Sequence, residues 1–396
     1  MLSRWEFQIP TRIQFGRGGV KMLGKTAAQF GSRAMLVGYK DRGGLESAYE
    51  QAAKSLARAG LSVTEFFEIP PDPDGELAIK GARLATEAQI DVLVGLGGGS
   101  VIDAAKGIGA MARMGGNLWD YAGTNPDFTP VTDSIPLIAV PTTAGTGSEL
   151  TAVAVFNHHG LGSLPGIPLK ASISGPAVLP KVALVDPDLT VGSPPRLTAA
   201  CGADALGHAI EACMSRRANP IASSLGGRAV GLIVKHLPRA VEDPNDAEAR
   251  EFLSLASTLA GAAFASAGVI MTHSMAHALG AILHIPHGAA IAAATPTVLR
   301  YNLDQCTEPY GLLAHFCGIV VNSPKEQAER FVDRITELLE SVGLPGRIEV
   351  PDDAPDDLAA KLATNAFEST LKPLEWTPRD IDEPTLKELF EGILHV

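Results

Sequence analysis

The 396-residue chain has no cluster of basic residues: 32 Lys and Arg stand against 44 Asp and Glu, a net charge of −12. That argues against general binding to nucleic acid or to an acidic membrane surface, both of which need basic patches. Nor is there a C-x-x-C pair. Cys201, Cys213, Cys306 and Cys317 are widely spaced and read as free thiols in a reducing, cytoplasmic compartment. The N-terminal stretch MLSRWEFQIPTRIQFG has no apolar run before a cleavage site, so no secretory signal is expected. Internal repeats and low-complexity tracts are also missing. One further absence is local: from Phe252 to Leu299, 48 residues, there is no Asp, Glu, Lys or Arg. A spanning helix needs about 20 consecutive apolar residues. Here the apolar part, Leu259 to Met271, is short, and Thr272, Ser274, Pro286 and four histidines interrupt the residues beyond it. Buried helices of a helical domain are the better reading.

The residues that are present begin with alternation. Short apolar segments at 33–39, 62–69, 91–97, 136–140 and 181–186 read as strands, with helical patterns at 45–60 and 75–89 between the first three. That order predicts a parallel sheet with helices on both faces. After about residue 190 the period becomes helical and strand candidates become few. The expected organisation is an α/β domain over 1–190 and an all-α domain over 191–396, with the boundary near Val191–Pro195.

Two glycine-rich turns follow strands of the first half. In DVLVGLGGGSVIDAAK, Gly97, Gly98 and Gly99 allow close approach of the backbone to a ligand. Ser100 is placed to cap the next helix, with Asp103 three residues on as in a capping box. A helix N-terminus behind such a turn suits phosphate. PTTAGTGSELT adds the hydroxyls of Thr142, Thr143, Thr146 and Ser148 after a second strand. Either turn alone is weak; two after strands of one sheet point to a nucleotide site.

The third signal is HSMAHALGAILHIPHG. His273 and His277 are four apart and share a helix face, and Pro286 is expected to end that helix, leaving His287 on the next turn. Upstream, Asp204 and His208 are also four apart, in CGADALGHAIEA. A carboxylate and several imidazoles on charge-poor helices suit a divalent metal, because a buried carboxylate without a cation is costly. Spacing leaves open which of His273, His277, His284 and His287 are ligands. The zinc-protease pattern HExxH is excluded by Ser274.

Together GGGSVIDAAK, PTTAGTGSELT, KVALVDPDLT, GADALGHAIEA and HSMAHALGAILHIPHG, in this order, resemble the iron-containing (group III) alcohol dehydrogenases. The resemblance implies a Rossmann-like N-terminal domain that binds NAD(P), and a helical domain beside a metal cleft, the architecture shared with dehydroquinate synthase. It implies Asp204, His208, His273 and His287 as ligands of ferrous iron, with zinc a competitor. It makes His277 a catalytic histidine beside the metal and the nicotinamide, and His284 structural. Gly97, Gly98, Gly99 and Ser100 would face the pyrophosphate. Thr142, Thr143, Thr146 and Lys170 would face the cofactor, and Phe264 the substrate. A homo-oligomer, a dimer or larger, is expected.

Three positions depart from the family. Tyr39 stands where NAD-preferring members often carry the acid that holds the ribose 2′-hydroxyl. NADP is therefore open, with Lys40 or Arg42 placed for a 2′-phosphate and Asp41 as a displaced ribose ligand. Val153 replaces a polar residue common in the pocket, and Ile270 replaces a glycine, a change expected to narrow the site. The activity implied is reversible hydride transfer between a small alcohol and NAD(P). Cyclase chemistry that uses NAD transiently, like that of dehydroquinate synthase, is the alternative, together with a maleylacetate reductase-like reaction.

Overall fold

The computed structural model describes residues 4–125, 127–351, 354–369 and 371–395. The chain runs through strands β1 (Arg12–Phe15), β2 (Arg33–Tyr39), β3 (Ser62–Ile69), β4 (Val92–Gly97), β5 (Leu137–Pro141), β6 (Val153–His158), β7 (Leu169–Ser174) and β8 (Val182–Val185). Among them lie helices α1 (Leu23–Ala27), α2 (Glu46–Arg58), α3 (Gly75–Glu87) and α4 (Gly99–Met114). Six of the strands form one sheet in the order β1-β8-β5-β4-β2-β3, every neighbouring pair parallel. β6 and β7 form a separate antiparallel hairpin.

The period-two pattern explains the layers. Ala34 and Leu36 of β2 pack with Leu23, Tyr49 and Leu56 on the α1–α2 face, while Met35 and Val37 pack with Ile102, Ala105 and Ile108 on the α4 face. The chain leaves β2 outward to β3, then crosses back to place β4 on the other side of β2. This is a topological switch point, whose crevice lies at the carboxyl ends of β2 and β4. Tyr39 and the turn Gly97–Gly99 are at those ends.

From Pro195 onward the described residues are helical but for one short strand pair, Ile348–Glu349 with Leu394–His395. The helices are α5 (Pro195–Met214), α6 (Pro220–Glu242), α7 (Ala247–Ala267), α8 (Met271–Leu283), α9 (His287–Tyr301), α10 (Thr307–Phe316), α11 (Pro324–Ser341), α12 (Leu358–Ser369), α13 (Leu371–Glu375) and α14 (Glu383–Glu391). They enclose one large apolar core. α5 runs through it, against α6, α7 and α9. Small residues let it do so. A Cβ on Gly207 would meet Ile291 of α9 at 2.7 Å, and one on Gly288 of α9 would meet the Ala200 carbonyl oxygen of α5 at 2.0 Å.

The charge-free stretch forms most of α7, all of α8 and most of α9. Among the described residues no single helix is long and apolar enough to cross a membrane, and α7 and α8 are bent by 108° where they meet. All four cysteines are free thiols.

Three local expectations are corrected. The capping box at α4 does not form: Gly98 is the N-cap, with no side-chain cap. Ser100 Oγ instead accepts the Asp72 N–H, and Asp103 accepts from Ser148 Oγ and the Val155 N–H, because a buried lysine nearby draws the carboxylate inward. Pro286 does not end α8. His284 does, in the left-handed region at φ 55°, and Pro286 is the N-cap of α9, whose first residue is His287. His284 is also exposed rather than packed.

Two glycine substitutions separate close packing from mere flexibility. Gly288→Ala should push α9 off α5 and cost about 1–3 kcal/mol, since backbone rather than a flexible side chain is struck. Gly311→Ala in α10 meets nothing within 4 Å and should gain about 0.5–1 kcal/mol. Urea midpoints measure both; equal effects would contradict the packing described.

Candidate metal and cofactor site

The metal-type side chains converge although they come from three helices. On α5, Asp204, His208 and Glu211 are spaced i, i+4, i+7 and share a face. His273 enters from the first turn of α8 and His287 from the first residue of α9. One ligand atom each of Asp204, His208 and His273 lies within 4.8 Å of the others, all three residues buried. Asp204 Oδ1 is 3.7 Å from His208 Nδ1, 3.8 Å from His273 Nε2 and 3.4 Å from His287 Nε2. His287 keeps a third of its side chain exposed, so it stands at the mouth of the cluster.

The donor atoms are idle. Asp204 Oδ1, His208 Nδ1 and His273 Nε2 are buried and have no hydrogen-bond partner among the described residues. Unpaired buried polar atoms are rare because each forfeits its hydration. Three of them aimed at one point fit a cation.

Glu211 sets the geometry, and the sequence reading missed it. Its Oε1 lies 2.8 Å from His273 Nδ1, and its Oε2 accepts the Ile270 N–H. The first contact fixes the ring so that Nε2 faces Asp204, as a carboxylate does behind a metal-bound histidine. The second, with the Met271 N–H donated to Thr377 Oγ1 at 3.1 Å, anchors the start of α8. The signal was there in GADALGHAIEA, one turn past His208. Ile270 itself is fully buried with an extended backbone at φ −123°, so nothing there demands glycine.

Ionisation follows from burial and neighbours. Burial opposes the Asp204 carboxylate, but the surrounding imidazoles of His208, His287 and His273 outweigh it and hold its carboxyl well below the usual range. Burial pushes His208 down to about 3, aided by His273 and His287 against the pull of Asp204. For His273 the carboxylates of Glu211 and Asp204 overcome burial and raise it to about 9. A cation in the cluster would take the place of the Nε2 proton while Nδ1–H stays on Glu211. His277 is driven well below its ordinary value, first by burial and then by His287, His273 and Lys170. Its Nδ1 is buried without a hydrogen-bond partner among the described residues, and its ring is 5.5 Å from that of His287.

The two glycine turns meet at the switch point. Thr142 donates its N–H to the Gly97 carbonyl at 3.0 Å. A Cβ on Gly98 would stand 3.2 Å from Thr143 Oγ1, and one on Gly99 would stand 2.8 Å from a Thr146 methyl carbon. Beneath them Lys106, fully buried, donates to Ser148 Oγ (2.9 Å), Thr151 Oγ1 (3.0 Å) and the Val153 carbonyl (2.7 Å), tying α4 to the second turn. Gly147, at φ 60°, has no room for a Cβ, which would be 2.7 Å from Gly261 of α7. Here the sheet half touches the helical half. Phe264 of α7 sits at this seam, stacked on His208 at 4.1 Å. Lys170 of β7 pairs with Asp72 at 2.5 Å. Tyr39 Oη accepts the Gly98 N–H at 3.2 Å. Val153 is 38% exposed and joins this network only through its carbonyl.

Residues 10–187 match the family model for iron-containing alcohol dehydrogenase, and residues 198–394 match that for the C-terminal part of the same family. The chain belongs to the iron-containing alcohol dehydrogenase family. It is an alcohol dehydrogenase, an oxidoreductase linked to NAD(P) and to iron. It is 35% identical over 367 residues to the NAD-dependent methanol dehydrogenase of Bacillus methanolicus, 91% of this chain and 93% of that one. It is 32% identical to the NADPH-dependent butanol dehydrogenase of Clostridium saccharobutylicum, over 86% and 84% of the two chains. Among solved structures, the alcohol dehydrogenase ADH/D1 of an archaeal halo-thermophile from a Red Sea brine pool superposes with a TM-score of 0.91 at 30% identity, over the full length of both chains.

Glu211→Gln keeps the shape but weakens the hold on His273. Metal affinity, titrated with ferrous iron or zinc against a competing chelator, should fall roughly 10–100-fold. Unchanged affinity would mean that Glu211 serves only to anchor α8.

Proposed function

We propose that this enzyme reversibly transfers hydride between a small primary alcohol, or its aldehyde, and NAD(P), with Asp204, His208, His273 and His287 holding the working ferrous ion. The observation that carries the assignment is the convergence of three partnerless buried atoms, Asp204 Oδ1, His208 Nδ1 and His273 Nε2. Zinc suits the same N/O donors, so metal content on purification need not report the working metal. When bound, the metal supplies a Lewis acid for the alcohol oxygen, and the nicotinamide supplies the hydride acceptor.

The chain does the rest by position. Gly97, Gly98, Gly99 and Ser100, with Thr142, Thr143 and Thr146, cradle the pyrophosphate and ribose at the switch point. Lys170, on the hairpin, reaches the cofactor from the other side. Phe264 walls the substrate space against His208, and the apolar Val153 favours less polar substrates. His277 is the catalytic histidine. Its low pKa keeps it neutral at working pH, so it can take a proton at one ring nitrogen and release one at the other. Residues 1–190 then serve as the cofactor domain and 191–396 as the metal domain.

We place the enzyme in the cytoplasm, binding neither nucleic acid nor membrane. A homodimer is favoured, because β1 is an edge strand whose Ile13 and Phe15 are 39% and 38% exposed beside unpaired backbone.

The test is the rate of NADH and NADPH consumption by iron-reconstituted protein over a panel of aldehydes. Rapid loss of one cofactor, abolished by a chelator and restored by iron, is expected. No turnover with metal and cofactor both bound would reduce the reading to a likeness of fold. His277→Ala should lower turnover about 10²–10⁴-fold with metal content unchanged. Full activity across the pH range would remove His277 from the mechanism.

A further inference from the structure

At the carboxyl end of the strand beside the switch point, an acid accepts the adenosine 2′-hydroxyl of a dinucleotide and repels a 2′-phosphate. In this chain that end is Tyr39, and the space around it holds donors. The Tyr39 N–H is fixed on Tyr49 Oη at 2.9 Å. Tyr39 Oη already accepts the Gly98 N–H, so the phenol has its own O–H left to give. Asp41, the next acid along the chain, is exposed, and its Oδ1 accepts the Gly43 N–H at 3.3 Å within its own turn. Asp72, the other acid whose charge reaches Tyr39, is held by Lys170.

Two cations lie just past Tyr39 in the chain. Lys40 is exposed. Arg42 is held: its guanidinium lies 4.5 Å over the Phe67 ring and 5.9 Å from that of Tyr49, and among the described residues it forms no ion pair. A stacked guanidinium with a free edge is preorganised for a phosphate dianion.

We propose that Tyr39 and Arg42 together select a 2′-phosphorylated dinucleotide, NADP(H), over NAD(H). This rests on the dehydrogenase reading above, and binding rather than turnover tests it. Calorimetric titration of the iron-loaded protein with NADPH and with NADH should show NADPH binding at least about tenfold tighter, the worth of one charged hydrogen bond. Arg42→Ala should bring the ratio close to one, and Arg42→Lys should restore part of it. Tyr39→Asp should invert it. Both positions are at the sheet's rim, and unchanged thermal unfolding checks that the variants fold. NADH binding as tightly as NADPH to the unaltered protein overturns this inference and leaves the dehydrogenase assignment standing. An Arg42→Ala ratio equal to that of the unaltered protein overturns the role of Arg42. Binding of neither cofactor overturns both readings.

Discussion

A single carboxylate in the wrong place organises the helical half. Asp204 is almost wholly buried in a bundle of alanine, leucine and isoleucine, where an unpaired charge is costly. Three imidazoles crowd its Oδ1, and Glu211 behind one of them adds a second buried charge. Neither arrangement is a sensible way to fill a core. Both make sense as a socket that is completed by a cation. The rest of the helical half answers that need: α5 must pass centrally, α8 must start where Glu211 reaches it, and α9 must begin with His287 close against α5.

The sheet half is built to bring a second body to that socket. Its two glycine turns lie side by side because β4 and β5 are neighbours, and the buried Lys106 holds them in one piece. Contact with the helical half is made by backbone on backbone at Gly147 and Gly261, with Phe264 filling the gap to His208. The distance between the paired turns and the Asp204 cluster is therefore set by rigid elements rather than by long side chains.

Much of this was legible in the sequence. The strands of the parallel sheet at 33–39 and 62–69 match the observed limits, the first because a buried strand carries an uninterrupted apolar run, the second, an edge strand buried only at Phe66 and Ile69, because helical periods bound it on both sides. The i, i+4 pairs pointed to the segments that converge, but spacing alone left four histidines open; three-dimensional convergence separates His273 and His287 from the exposed His284. β1 escaped notice because an edge strand of four residues, half exposed, has little pattern. The β6–β7 hairpin escaped because its two strands are short and polar residues, Asn157 and His158 among them, break their apolar pattern. Ser100 and Asp103 had the spacing of a capping box, yet the buried Lys106 claimed the carboxylate. A pair interaction distant in sequence thus overrode a local rule, and no single-segment reading contains it.

The interlock of the two turns has an evolutionary consequence. Gly99 is a glycine because Thr146, far along the chain, occupies the space its side chain would need, and at Gly98 that space is taken first by Tyr39 Oη and then by Thr143. Neither turn can drift alone: a larger residue in the first demands a smaller one in the second. The cradle is inherited, and would have to be transplanted, as a matched pair of segments together with Lys106.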